Sequence, residues 1–217
     1  IFFQVEGWGT TLLIIGGTTA LLAAIMACVE PDLKKLLAYS TISQLGYMVF
    51  ALGIIVDEPN IGLVHIGILA ATFHLLNHAV FKALLFLGAG SVIHSTGTRN
   101  MHEMGGLKKT MKITHITMLI GTLALAGIVP FSGFWSKDLI FAGAWEAEIW
   151  LPLAVVVLTA ILTVAYSFRM YYLVFQGEPR TAAHTHESPA AMTVPLVLLA
   201  IGAIGSWAVI GIFSEAM

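Results

Sequence analysis

Apolar residues run through this chain in long stretches broken by short polar connections. A helix that crosses a bilayer needs roughly 20 mostly apolar residues. Six segments qualify, at about 10–29, 36–56, 62–94, 113–146, 150–176 and 193–213. The third is roughly 33 residues, or about 50 Å of helix at 1.5 Å per residue. It must tilt strongly or begin with an extra turn outside the membrane, near residues 60–63.

The fourth segment would also be about 50 Å long as one helix. Its middle reads Gly127-Ile128-Val129-Pro130-Phe131-Ser132-Gly133-Phe134. Proline removes a backbone donor and clashes with the preceding turn, and the flanking glycines loosen the rest. The pattern predicts a discontinuous helix: about 113–128, an unwound linker over 129–134, then about 135–147. Unwound backbone at membrane depth survives only where protein or a water-filled cavity satisfies it, and broken helices of this kind mark ion pathways in transporters. The alternative is a helix that ends at Val129, followed by an interfacial helix anchored by Trp135.

Composition agrees with membrane solvation. Of the 217 residues, 58% are hydrophobic and only 10% charged, where a soluble domain carries about 25% charged residues. A formal net charge of −2 implies no general attraction to nucleic acid. The single cysteine, Cys28, allows neither an internal disulfide nor an iron–sulfur ligand set. No glycine-rich phosphate loop follows a strand, and no Ser-His-Asp order stands out, so redox or nucleotide chemistry belongs to a partner. The chain opens on Ile1 without a signal peptide and ends on Ala216-Met217, which reads as a segment of a longer protein.

Lysine and arginine set the orientation. Six spans alternate the loops between two sides. One side collects Lys34, Lys35, Arg99, Lys108, Lys109, Lys112, Arg169 and Arg180. The other, which takes the loops near 57–61 and 137–149, has only Lys137, with Glu6, Asp57, Glu58, Asp138, Glu146, Glu148 and Glu215. An eight-to-one bias makes the first side cytoplasmic by the positive-inside rule. Lys82 belongs to neither side.

Lys82 closes the run His74-Leu75-Leu76-Asn77-His78-Ala79-Val80-Phe81-Lys82. His74, His78 and Lys82 fall at i, i+4 and i+8, on one helix face with about 40° of drift. A charged lysine near the bilayer centre costs at least about 2.5–3.5 kcal/mol. Histidine titrates near pH 6.5 and desolvated lysine pKa values fall, so three such groups bridged by water would pass a proton stepwise. The structural alternative is interhelical hydrogen bonding. The second span carries Ser40, Thr41, Ser43, Gln44 and Tyr47, a polar face suited to a hydrated interior. Lys35 reads as an anchor, and Lys34 equally as an anchor or as the entrance to a half-channel. Lys137-Asp138, just past the predicted break, reads as an interfacial ion pair or as a terminal proton donor or acceptor toward the non-cytoplasmic side, and the break favours the second. His184-Thr185-His186-Glu187 has the composition of a metal cluster, but no third region supplies ligands, so no metal is expected. His94, His102 and His115 receive no role. Sodium would favour carboxylate and carbonyl ligands. The lack of any acidic residue inside a span tilts the transported ion toward H⁺, with Na⁺ as the alternative.

The stretch Asp32-Leu33-Lys34-Lys35-Leu36-Leu37-Ala38-Tyr39-Ser40-Thr41-Ile42-Ser43-Gln44-Leu45-Gly46-Tyr47-Met48 resembles the signature of the antiporter-like membrane subunits of respiratory complex I and of Mrp cation/proton antiporters. His74 to Lys82, Met104-Gly105-Gly106-Leu107 and Gly133-Phe134-Trp135-Ser136-Lys137-Asp138 match that family in the same order. Glu178-Pro179-Arg180 and His186-Glu187-Ser188-Pro189, with Met192 and Pro195, resemble its distal member in complex I, the subunit L or chain 5 type. The resemblance implies an all-α, polytopic membrane fold of two inverted five-helix repeats, each with a broken helix. The second repeat would occupy 1–176, a cytoplasmic loop 177–192 and a further transmembrane helix 193–217. Lys82 would be the central-axis lysine, Lys137 the exit-side lysine, and His74 and His78 the connecting histidines. It implies no redox cofactor in this chain, other membrane subunits as partners, and an inner (plasma) or equivalent energy-transducing membrane.

Overall fold

A computed structural model gives the fold, and the structure describes residues 7–54, 61–180 and 185–209. Within them the chain is helical, with seven helices: α1 (Trp8–Val29), α2 (Leu33–Gly53), α3 (Ile61–Thr96), α4 (Lys112–Ala126), α5 (Ser132–Glu146), α6 (Trp150–Phe175) and α7 (Ala190–Gly205). Five are long and apolar enough to cross a membrane: α1, α2, α3, α6 and α7. The two 15-residue helices α4 and α5 make up the sixth, discontinuous element. The third predicted segment is continuous helix over 36 residues. The N-terminal part of the turn expected near residues 60–63 lies outside the described residues, as do Glu6, Asp57, Glu58, His184, Glu215 and the C-terminal end of the 193–213 segment. The last helix begins at Ala190, three residues before the expected position, with Pro189 at the position before it and no side-chain cap.

Small residues bring the first two helices together. A Cβ on Gly16 would lie 2.4 Å from the Phe50 nitrogen, and one on Gly46 would lie 2.5 Å from the Ala20 nitrogen. Such backbone contact is how membrane helices associate without a hydrophobic driving force between them. The opposite faces are open: Val29 and Leu151 are 75% and 78% exposed, as expected of side chains that meet lipid.

The basic end of the bundle is held by polar caps. Asp32 accepts from the Lys34 and Lys35 N–H groups at 2.9 and 3.0 Å, capping α2, and pairs with Arg99 at 3.1 Å. Glu187 reaches across from the segment before α7 and accepts from Ile113 N at 2.7 Å and Thr114 Oγ1 at 2.6 Å, capping α4. Arg180 donates to the Leu173 carbonyl at 2.6 Å. In the loop above, the Thr98 hydroxyl and the Asn100 amide hold the Glu103 carboxyl below its ordinary range.

The break differs from its predicted position. Helix α4 ends at Ala126 because Gly127 takes φ 76° and donates back to the Ala124 carbonyl at 3.1 Å. Helix α5 resumes at Ser132. The non-helical residues are therefore 127–131, and not 129–134. Gly133 lies inside α5. It serves close packing and not unwinding, since a Cβ there would sit 1.8 Å from the Ala124 carbonyl oxygen. The expected loop over 137–149 is helical to Glu146. Lys137 consequently leaves the loop for the interior.

Candidate functional site

Four helices meet around the break, and each contributes a polar face. From α3, Lys82 is 5% exposed. Its ammonium donates to the Ser40 hydroxyl and, at 3.3 Å, to the Leu37 carbonyl, both on α2. The Ser40 and Thr41 hydroxyls also donate to that carbonyl, at 2.8 and 2.9 Å. No Asp or Glu is buried among the described residues, so backbone and hydroxyl oxygens do the work of a counter-ion.

The same logic holds Lys137. It is 3% exposed, and its Nζ donates to the Leu125 carbonyl at 2.7 Å. In an uninterrupted helix that carbonyl would accept from residue 129. The turn at Gly127 leaves it free, at the negative end of the α4 dipole. The break thus creates the acceptor for the lysine. The Tyr47 ring lies 5.7 Å from Lys137 Nζ.

His74 joins the two regions. Its Nδ1 shares a hydrogen bond with Ser136 at 2.8 Å, and Ser136 is the neighbour of Lys137 on α5. Its Nε2 meets Gln44 Oε1 on α2 at 3.1 Å. Gln44 lies one turn from Ser40. Between them, on α6, the Tyr166 hydroxyl faces Thr163, Ser40 and Gln44 without a hydrogen bond to any of them. Polar groups therefore lie between the two lysines, from Ser40, Tyr166 and Gln44 to His74 and Ser136, but neither the Tyr166 step nor the step from Ser136 to Lys137 is a hydrogen bond.

His78 sits beside these groups. Its ring packs edge-on against Phe81, with centroids 5.4 Å apart, and its Nε2 makes no hydrogen bond. The predicted face of α3 exists, yet no hydrogen bond passes along it from His74 to His78 to Lys82. Asp138 is exposed and makes no ion pair with Lys137 among the described residues, which removes the interfacial-pair reading. Lys34 is half-buried in the first turn of α2, with no side-chain hydrogen bond or ion pair among the described residues. Nothing in the structure joins it to the buried groups. Ser136 and Tyr166 were not singled out from the sequence. Tyr166 had a signal, because Thr159, Thr163 and Ser167 repeat at helical spacing in an otherwise apolar segment and are all buried.

Comparison with known proteins agrees with this architecture. Residues 1–163 match the family model described as NADH:quinone oxidoreductase/Mrp antiporter, transmembrane. The F(420)H(2) dehydrogenase subunit L of Methanosarcina mazei is 51% identical over 87% of this chain and 29% of its own length. The NADH-quinone oxidoreductase subunit L of Rickettsia typhi is 46% identical over 89% of this chain and 28% of its own. The NAD(P)H-quinone oxidoreductase chain 5 of a Picosynechococcus is 46% identical, over 87% and 31%. The chain therefore spans under a third of each of these relatives. A chain of an archaeal membrane-bound sulfane sulfur reductase superposes with TM-score 0.82 at 34% identity, over 91% of this chain and 32% of that one. A chain of the Mrp complex from Dietzia sp. shares the fold, with TM-score 0.82 at 22% identity, over 96% and 45%.

Proposed function

We propose a function from the premise that this chain belongs to the NADH:quinone oxidoreductase/Mrp antiporter membrane family: as part of a longer subunit, it moves protons across the bilayer through Lys82, His74 and Lys137. The observation that carries the reading is the pair of buried lysines, each donating to a backbone carbonyl, with a buried histidine bonded on both ring nitrogens to α2 and α5, the helices that hold the Lys82 ammonium and carry Lys137. Each amine is held by oxygens to which it can donate with or without its extra proton, so both charge states keep a partner. A second proton carrier within reach then lets charge move without either lysine moving.

In this reading the chain is the second inverted repeat, 1–176, followed by a loop and one more helix, in a subunit of a complex I-type assembly. Neighbouring membrane subunits are its partners, and their redox reaction drives it. This chain supplies no redox chemistry, and its basic end faces the cytoplasm. The absence of buried carboxylates among the described residues favours H⁺ over Na⁺ as the carried ion.

The test uses the full-length protein in its assembled complex, in sealed vesicles. Lys82→Met keeps the volume and removes the carrier, so driven proton uptake falls at least about tenfold while assembly is kept. Lys82→Arg also impairs uptake, since arginine stays charged. Normal uptake in assembled Lys82→Met complexes would remove the reading and leave α3 as scaffold.

A further inference from the structure

His74 is fully buried, and both of its bonded partners can either donate or accept. The Ser136 hydroxyl does so by rotating its hydrogen. Gln44 does so by turning its amide over, which exchanges Oε1 for Nε2 at nearly the same volume. Gln44 is also fully buried, and only its Oε1 is bonded; its Nε2 has no partner among the described residues. Turning the amide over therefore breaks no hydrogen bond other than the one it remakes to His74.

We propose that Gln44 is a positioning residue for His74, whose reversible amide keeps the imidazole bonded in every protonation state. This rests on the proton-carrying reading above. With Nε2 protonated, the ring donates to Gln44 Oε1 and Nδ1 accepts from Ser136. With Nδ1 protonated, the ring donates to Ser136 Oγ and Nε2 accepts from the Gln44 amide. With both protonated, it donates to Ser136 Oγ and Gln44 Oε1. The ring stays in one place while its proton count and tautomer change. A carboxylate in place of Gln44 would not allow this, because an ionised carboxylate only accepts. It would fix the proton on Nε2 and hold the positive ring. The titratable groups facing this pair are Tyr47 from α2, His78 and Lys82 from α3, Lys137 from α5 and Tyr166 from α6. None of them is a carboxylate.

Gln44→Glu and Gln44→Met in the assembled full-length complex test the proposal, with proton uptake followed in vesicles across pH. Gln44→Glu slows uptake at least about tenfold near neutrality, and its pH profile moves alkaline, since the ring releases its proton only against the added anion. Gln44→Met lowers uptake without moving the profile. A Gln44→Glu profile that coincides with the wild type overturns the proposal, whatever its amplitude. Should Gln44→Glu fail to assemble, Gln44→Met decides: uptake within about twofold of wild type overturns the proposal. Lys82→Met measured alongside separates the two ideas. Normal uptake there removes the proton reading itself, while lost uptake there with wild-type behaviour of the Gln44 variants removes only the positioning role.

Discussion

At the basic end of the bundle, Asp32 caps α2, Glu187 caps α4, and Arg180 closes on the Leu173 carbonyl. Among the helices, by contrast, six buried side-chain atoms make no hydrogen bond among the described residues: Gln44 Nε2, Asn77 Nδ2, His78 Nε2, Ser132 Oγ, Tyr166 Oη and Ser167 Oγ. The first region satisfies half-buried and exposed polar groups as a fold needs, while the second leaves fully buried ones unpaired. Unmade buried bonds cost about 1–3 kcal/mol each, and native folds retain few of them without a further reason. The basic end is built for stability. In the proposed function, the interior, where two lysines share the space with those groups, is the region that changes its protonation.

Substitutions can break that contrast. The largest effect is expected within the interior. His74→Leu removes the group bonded to both α2 and α5, and proton uptake by the assembled complex should fall at least about tenfold. His78→Leu, at a ring whose Nε2 has no hydrogen bond among the described residues, should keep uptake within about twofold. Equal losses for the two would return the path to the α3 face.

Stability effects at the basic end come next. Asp32→Ala removes the α2 cap and should cost about 1 kcal/mol, read as a lower unfolding midpoint of the purified complex, with uptake per assembled complex unchanged. Arg99→Gln should be the smallest. Its side chain is 55% exposed in the ion pair, and an exposed pair contributes about 0–1 kcal/mol. A loss of uptake per complex in either variant would blur the division between the regions.

The spans and the break were legible because each is a property of long windows: apolar length, and a proline between glycines. The position of Lys137 was not. A reading by hydropathy and charge puts Lys137 near the start of a half-helix at the non-cytoplasmic side, and it cannot see that Gly127 ends one helix early enough to free the Leu125 carbonyl for an ammonium twelve residues on. Moving Lys137 inward leaves the opposite side without a basic residue among the described ones, which strengthens the charge bias. The role of Gly133 was hidden for a similar reason. Sequence gives the same glycine whether it loosens a helix or lets two helices touch, and only the 1.8 Å approach to Ala124 distinguishes them. The link through Tyr166 depends on α2 and α6 lying side by side, over a separation of more than a hundred residues that no local pattern encodes.

The central claim is that the buried groups between Lys82 and Lys137 carry protons, and Lys137 tests it most directly because the structure buries it against the carbonyl that the helix break frees. The measurement is the number of protons taken up per electron transferred by the assembled full-length complex carrying Lys137→Met, in sealed vesicles. The account predicts a ratio clearly below wild type, with the complex intact. A wild-type ratio in intact Lys137→Met complexes would contradict it.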